Sequence, residues 1–116
     1  MSHLSILPTI YTSMDLLAES LRQEGFMVQF EAQLETFAGQ FQDVDLLAVQ
    51  PAGRPLGWIL NSDGSIVLHA DLQRISLQPG LIERLQRVAR RYSLLLAFDQ
   101  VEQLGSSVAE FSVNPL

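Results

Sequence analysis

The chain has 116 residues and no cysteine, so it is one domain in length and folds without disulfides or thiolate metal sites. Its 47% hydrophobic and 17% charged residues exclude a disordered chain, and a net charge of −6 opposes nucleic-acid binding, which needs clustered cations. The longest apolar run, Leu94 to Phe98, falls far short of the ~20 residues of a membrane span, and Met1 to Pro8 lacks the cationic start and apolar stretch of a secretory signal.

Taken in order, residues 3–7 alternate as a short strand with Leu4 and Ile6 on one face, and Pro8 places it at an edge. Thr12, with Asp15 three positions on, predicts a helix start. Met14, Leu17, Ala18 and Leu21 then form one apolar stripe, and Gly25 suits a left-handed residue past the helix end. Phe26, Val28, Phe30 and Ala32 alternate with polar residues as a half-buried strand, followed by a connection from Leu34 to Asp43. Val44 to Gln50 is apolar on both faces, which predicts a central strand covered on both sides.

Pro51 to Pro55 is a turn by composition. Leu56–Leu60 and Ser65–Ala70 read as a hairpin joined by Asn61-Ser62-Asp63-Gly64, with Ile66, Leu68 and Ala70 facing one way and Val67, His69 and Asp71 the other. Pro79 is placed as the first residue of a second helix, whose apolar residues run from Leu81 through Phe98 and which ends near Gly105. Ala109, Phe111 and Val113 alternate as a closing strand. The expected fold is a single α+β domain over residues 1–116. It is a two-layer sandwich with a mostly antiparallel sheet and both helices on one face, ferredoxin-like with an additional hairpin.

Several short segments together resemble one known family. They are the opening Met1-Ser2-His3-Leu4-Ser5, Ala38-Gly39-Gln40 with Val44-Asp45, Leu56-Gly57-Trp58, Asn61 to Ser65, Ala70-Asp71, and Arg91-Tyr92. Their order over most of the chain is similar to the hypothetical chloroplast reading frame thirty-five family, a conserved domain of unknown function in cyanobacteria and plastids. That family usually has phenylalanine at the position of Leu4 and often a tryptophan after the Ala-Asp pair, where Leu72-Gln73-Arg74 stands here. The resemblance implies a photosynthetic organism, a cytoplasmic or stromal location, and an AAA-type ATPase as a partner by association. It brings no catalytic residues.

The chemistry-bearing residues are sparse. His69 and Asp71 share a strand face and His3 lies on the first strand, but no further ligand joins them at metal-binding spacing, and a surface or half-buried histidine explains them better. No Gly-x-Ser-x-Gly elbow, cysteine nucleophile or lysine-bearing phosphate loop is present, so no catalytic residue and no cofactor is assigned. Arg84, Arg87, Arg90 and Arg91 gather on the second helix against Glu83 alone. They form either a solvated face with pairs such as Glu83 to Arg87, or a ridge that docks an acidic partner surface. The run from Leu94 exceeds one helix face, so Leu94, Leu95 or Phe98 is exposed unless it is covered by a partner or a second copy. The leading expectation is a non-enzymatic interaction module, an adaptor or assembly factor. The alternative is a small-metabolite-binding regulatory domain with its ligand against the sheet near Trp58 and His69.

Overall fold

The computed structural model describes residues 4–36 and 39–112. Five strands and three helices follow one another as β1 (Leu4–Pro8), α1 (Met14–Gln23), β2 (Met27–Glu35), β3 (Phe41–Val49), β4 (Leu56–Leu60), β5 (Ile66–Asp71), α2 (Leu72–Leu77) and α3 (Leu81–Ser112). The strands form one antiparallel sheet in the order β1-β5-β4-β3-β2. The α+β class and the antiparallel sheet are as expected. The ferredoxin-like connectivity is not: β2 to β5 form a simple meander, and α1 carries the chain from one sheet edge to the other. The expected closing strand at residues 109–112 is the end of α3, so no second crossover exists there, and Val113 lies outside the described residues.

Local sequence sets the element ends, with small corrections. Ser13, not Thr12, caps α1, its Oγ accepting the Leu16 amide at 3.3 Å. Thr12 is engaged elsewhere, as shown below. Gly25 does hold the left-handed conformation after the helix, at φ 91°. The Leu34–Asp43 connection is shorter than expected, because β2 and β3 pair out to Glu35 and Phe41. The six-residue α2 was not foreseen; Asp71 ends β5 and caps α2 through Oδ1 to the Arg74 amide at 3.3 Å. α3 begins at Leu81, two residues after Pro79, because Gly80 turns the chain at φ 79°.

The main core lies between the helices and one sheet face. Leu17, Ala18 and Leu21 of α1 and Leu81, Val88 and Tyr92 of α3 meet Leu46, Ala48, Leu56, Trp58, Ile66 and Ala70 of the strands. Burial of this apolar surface is the dominant stabilising term, as in any two-layer domain.

The second sheet face is covered by the sheet itself. Glu31 sits at φ 52°, a conformation uncommon for a residue with a β-carbon, and the ladder lacks a pair between Phe30↔Leu46 and Ala32↔Val44. Opposite it, Asp45 Oδ2 accepts the Leu60 amide at 2.7 Å in place of a backbone bond. Strand alternation would put Val44 on the same side as Leu46 and Ala48. Val44 instead packs with Leu34 and Leu47, bordered by Leu4, Ala32, Val49 and Ile59, in a separate cluster. The far half of the β2–β3 hairpin has turned over onto the other face. That is how β3 comes to be covered on both sides, as its apolar pattern required.

Gly57 makes room for this fold-over. A β-carbon built there would lie 2.6 Å from Val44 Cγ1 and 3.3 Å from Leu34 Cδ2.

Candidate functional site

The four arginines predicted as a partner site all lie on α3, and the structure gives three of them partners within the chain. Glu24, just past the end of α1, sits between Arg87 and Arg91. Arg87 Nε donates to Glu24 Oε1 at 2.6 Å and Arg91 Nε to Oε2 at 2.7 Å. The Glu24 side chain is only 8% exposed, and the arginines over it, Arg91 first and then Arg87, hold its carboxyl below the usual carboxylate range. Arg91 also donates to Gln23 Oε1 at 3.2 Å.

Arg84 is half-buried and serves the same end of α1. Its Nη2 donates to the Glu24 carbonyl at 2.9 Å, one of the acceptors that a helix C-terminus leaves unpaired. Its Nη1 donates to Gln50 Oε1 at 3.1 Å, and its guanidinium lies 4.2 Å from the centre of the Phe26 ring. The acidic partner of the ridge is thus in large part Glu24, 63 and 67 positions from Arg87 and Arg91 in sequence, and not Glu83 at i+4 spacing. Arg90 is exposed and has no hydrogen-bond or ion-pair partner among the described residues.

Beyond the ridge, α3 leaves the globule. A helix of 32 residues is about 48 Å long at ~1.5 Å per residue, far longer than the strands beneath it. The molecule measures 66 × 31 × 20 Å in consequence. Leu94, Phe98, Val101 and Leu104 recur at spacings of four, three and three, and are 57%, 57%, 61% and 64% exposed. They form one apolar stripe on the solvent side of the helix. Leu95 and Leu96 are half-buried, with Leu96 packed against the core. The stripe continues the arginine face, and a depression of about 240 Å³ lined by Glu24, Arg87, Arg90, Arg91 and Leu94 marks the junction.

Trp58 and His69 do not converge. Trp58 pairs with Leu68 and is 2% exposed in the helix-side core; His69 pairs with Gly57 and faces the other way. His69 is 7% exposed, and its Nδ1 lacks a hydrogen-bond partner among the described residues. Burial pushes its pKa below the ordinary histidine value. Neither residue lines the depression at Ser5, Asp71, Leu72, Gln73 and Ser76, of about 570 Å³, or the one at the β2–β3 turnover, of about 610 Å³. Asp71 is spent on capping α2, and His3 lies outside the described residues. No group of three or more histidine or acidic side chains able to hold a metal occurs among the described residues.

Two features of this region escaped the sequence reading. One is Glu24, which as a lone acid after a helix carries no signal of its own. The other is the far end of α3, which was expected to stop near Gly105 and runs on to Ser112 through residues whose alternation resembles a strand. Among the described residues, no helix is long and apolar enough to cross a membrane. No family model, curated protein or solved structure matches the chain.

Proposed function

We propose that the chain is a non-enzymatic protein-interaction module, an adaptor or assembly factor, whose contact surface is the solvent side of α3. The observation that carries this reading is the stripe of Leu94, Phe98, Val101 and Leu104, all more than half exposed on a helix segment that projects past the sheet. A row of large apolar side chains on a projecting helix costs solubility unless something covers it, and helices with such a face dock into apolar surfaces of partners. The arginines take a revised part. Arg84, Arg87 and Arg91 set the helix on α1, while Arg90 and the exposed flanks of Arg87 and Arg91 border the contact. The resemblance to the cyanobacterial and plastid family supports a cytoplasmic or stromal setting and makes an AAA-type ATPase the first partner to try.

The metabolite-binding alternative has less to stand on, since Trp58 and His69 lie on opposite faces of the sheet. The test is affinity capture from a photosynthetic cell extract with the wild type and with Leu94→Asp/Val101→Asp. The variant should lose the wild-type partners and keep the wild-type circular dichroism. Retention of every partner by the variant defeats the proposal.

A further inference from the structure

We infer that the outer half of the β2–β3 hairpin is a flap over the second sheet face, latched shut at neutral pH and released by acid through His69. Its backbone stands apart from the sheet. β3 pairs with β4 only over Leu46–Ala48, so among the described residues those from Ala32 to Glu35 and from Phe41 to Val44 pair along the ladder only with one another. Both strands break at one level, where Glu31 stands at φ 52° and the Asp45 carboxylate takes the Leu60 amide. A few residues that absorb a change of direction in this way make a hinge. Side-chain packing alone is the latch: Leu34 and Val44 lie over Gly57, and Leu4 and Ile59 join the same small cluster.

His69 lies under this latch. It pairs with Gly57 on one side and Ile6 on the other, on the face the hairpin covers. Leu4 is three strands from Leu47, about 14 Å at ~4.8 Å per strand. Leu4 therefore joins the cluster through Leu34 or Val44, and that contact crosses β5 at His69 and Asp71. The imidazole is 7% exposed, whereas Ile6 beside it is 62% exposed, which marks where the cover stops. A closed flap keeps water from a ring whose Nδ1 has no partner among the described residues, so the charged form is favoured when the flap opens. The lowered pKa of the closed form agrees. No ionisable side chain faces the ring from β1 between Leu4 and Pro8 or from β4 between Leu56 and Leu60. Asp71 on β5 caps α2 and meets Arg74 at 3.5 Å. On the hairpin, Glu31, Glu35, Asp43 and Asp45 are exposed, and no ion pair joins any of these acids to His69 among the described residues.

Native-state amide hydrogen exchange on the intact protein tests the flap, at about pH 7.5 and about pH 5.5, on either side of the ordinary histidine value of about 6.5. It is repeated at several urea concentrations below the unfolding transition. After correction for the intrinsic pH dependence of exchange, amides of residues 32–35 and 41–44 should open more readily than those of β4 and β5. Their exchange should depend little on urea, because the opening exposes little surface. Acidification should raise their opening several-fold, by no more than about tenfold per pH unit for one titrating group. His69→Leu should abolish that rise. Leu34→Ala should raise the opening at about pH 7.5 roughly tenfold or more by emptying the latch, and leave the acid response in place. Flap amides that share the protection and urea dependence of the β4 amides open only with the whole domain, and overturn the inference. Equal opening at both pH values, or an acid rise that persists in His69→Leu, overturns it as well.

Discussion

The phenol oxygen of Tyr92 accepts the backbone N–H of Ser13 at 2.9 Å, and that of Thr12 at the same distance. One side chain of α3 thereby satisfies two amides at the start of α1. At the other end of α1, Arg84, Arg87 and Arg91 take up the Glu24 carbonyl and carboxylate. The two helices therefore run antiparallel and are bonded at both ends, with Tyr11 and Tyr92 in edge contact, ring centres 4.6 Å apart. Tyr92→Phe keeps the ring and leaves those amides without their acceptor. Chemical denaturation should show a loss of about 1 kcal/mol, the usual net contribution of a part-buried hydrogen bond, with secondary structure intact.

Glu24 gives acid sensitivity a defined origin. Its folded-state pKa is lowered by Arg91 and Arg87, so the unfolded chain takes up this proton first as pH falls. The stability it contributes is complete above the ordinary carboxylate range and is lost as pH drops through the lower folded-state value. Glu24→Gln should cost on the order of 1 kcal/mol at neutral pH, since the arginines are half exposed. It should also flatten the acid limb of the melting temperature below about pH 5, where an ordinary glutamate begins to take up its proton. An acid limb identical to the wild type would count against the arginine clamp.

Gly57 is tied to one contact. In Gly57→Ala the new methyl meets Val44 Cγ1 at 2.6 Å, and overpacking of this kind costs about 1–3 kcal/mol. Adding Val44→Ala should recover part of that loss, so the two changes couple with opposite sign in a double-mutant cycle. Simple additivity would mean that the β2–β3 hairpin does not fold over the sheet at this point.

His69 should make folding pH-dependent near neutrality. Burial lowers its folded-state pKa, so the unfolded state binds the proton more readily, and stability falls as pH drops below the unfolded value of about 6.5. His69→Leu removes both the titration and an unpaired ring nitrogen. Melting temperatures compared at two pH values on either side of 6 should show the wild-type decline and its disappearance in the variant.

Periodicity carried most of the architecture. The α1 stripe, the β4–β5 hairpin and the two-sided burial of β3 all follow from local alternation, because each element buries one face against a partner close in sequence or in the same sheet. The connectivity was not legible. Whether α1 leads to a neighbouring strand or across the whole sheet depends on which strands pair, and Leu4↔Asp71 joins residues far apart in sequence. Residues 109–112 alternate like a strand yet continue a helix, an ambiguity that short apolar patterns carry. The arginines were visible as a group, but their occupant Glu24 could be found only once α1 and α3 were side by side. Trp58 and His69 were expected to converge on one ligand, but the register pairs Trp58 with Leu68 and His69 with Gly57, which puts them on opposite faces.

The turnover at Glu31 also bears on how the molecule avoids its own kind. β2 is a nine-residue strand at the open margin of the sheet, the kind of element that recruits strands from other molecules into aggregates. A residue at φ 52° in its middle divides that margin into two short runs with different directions. The opposite margin, β1, ends in Pro8, which offers no amide. Both borders are thus poor templates for adding a strand from another molecule.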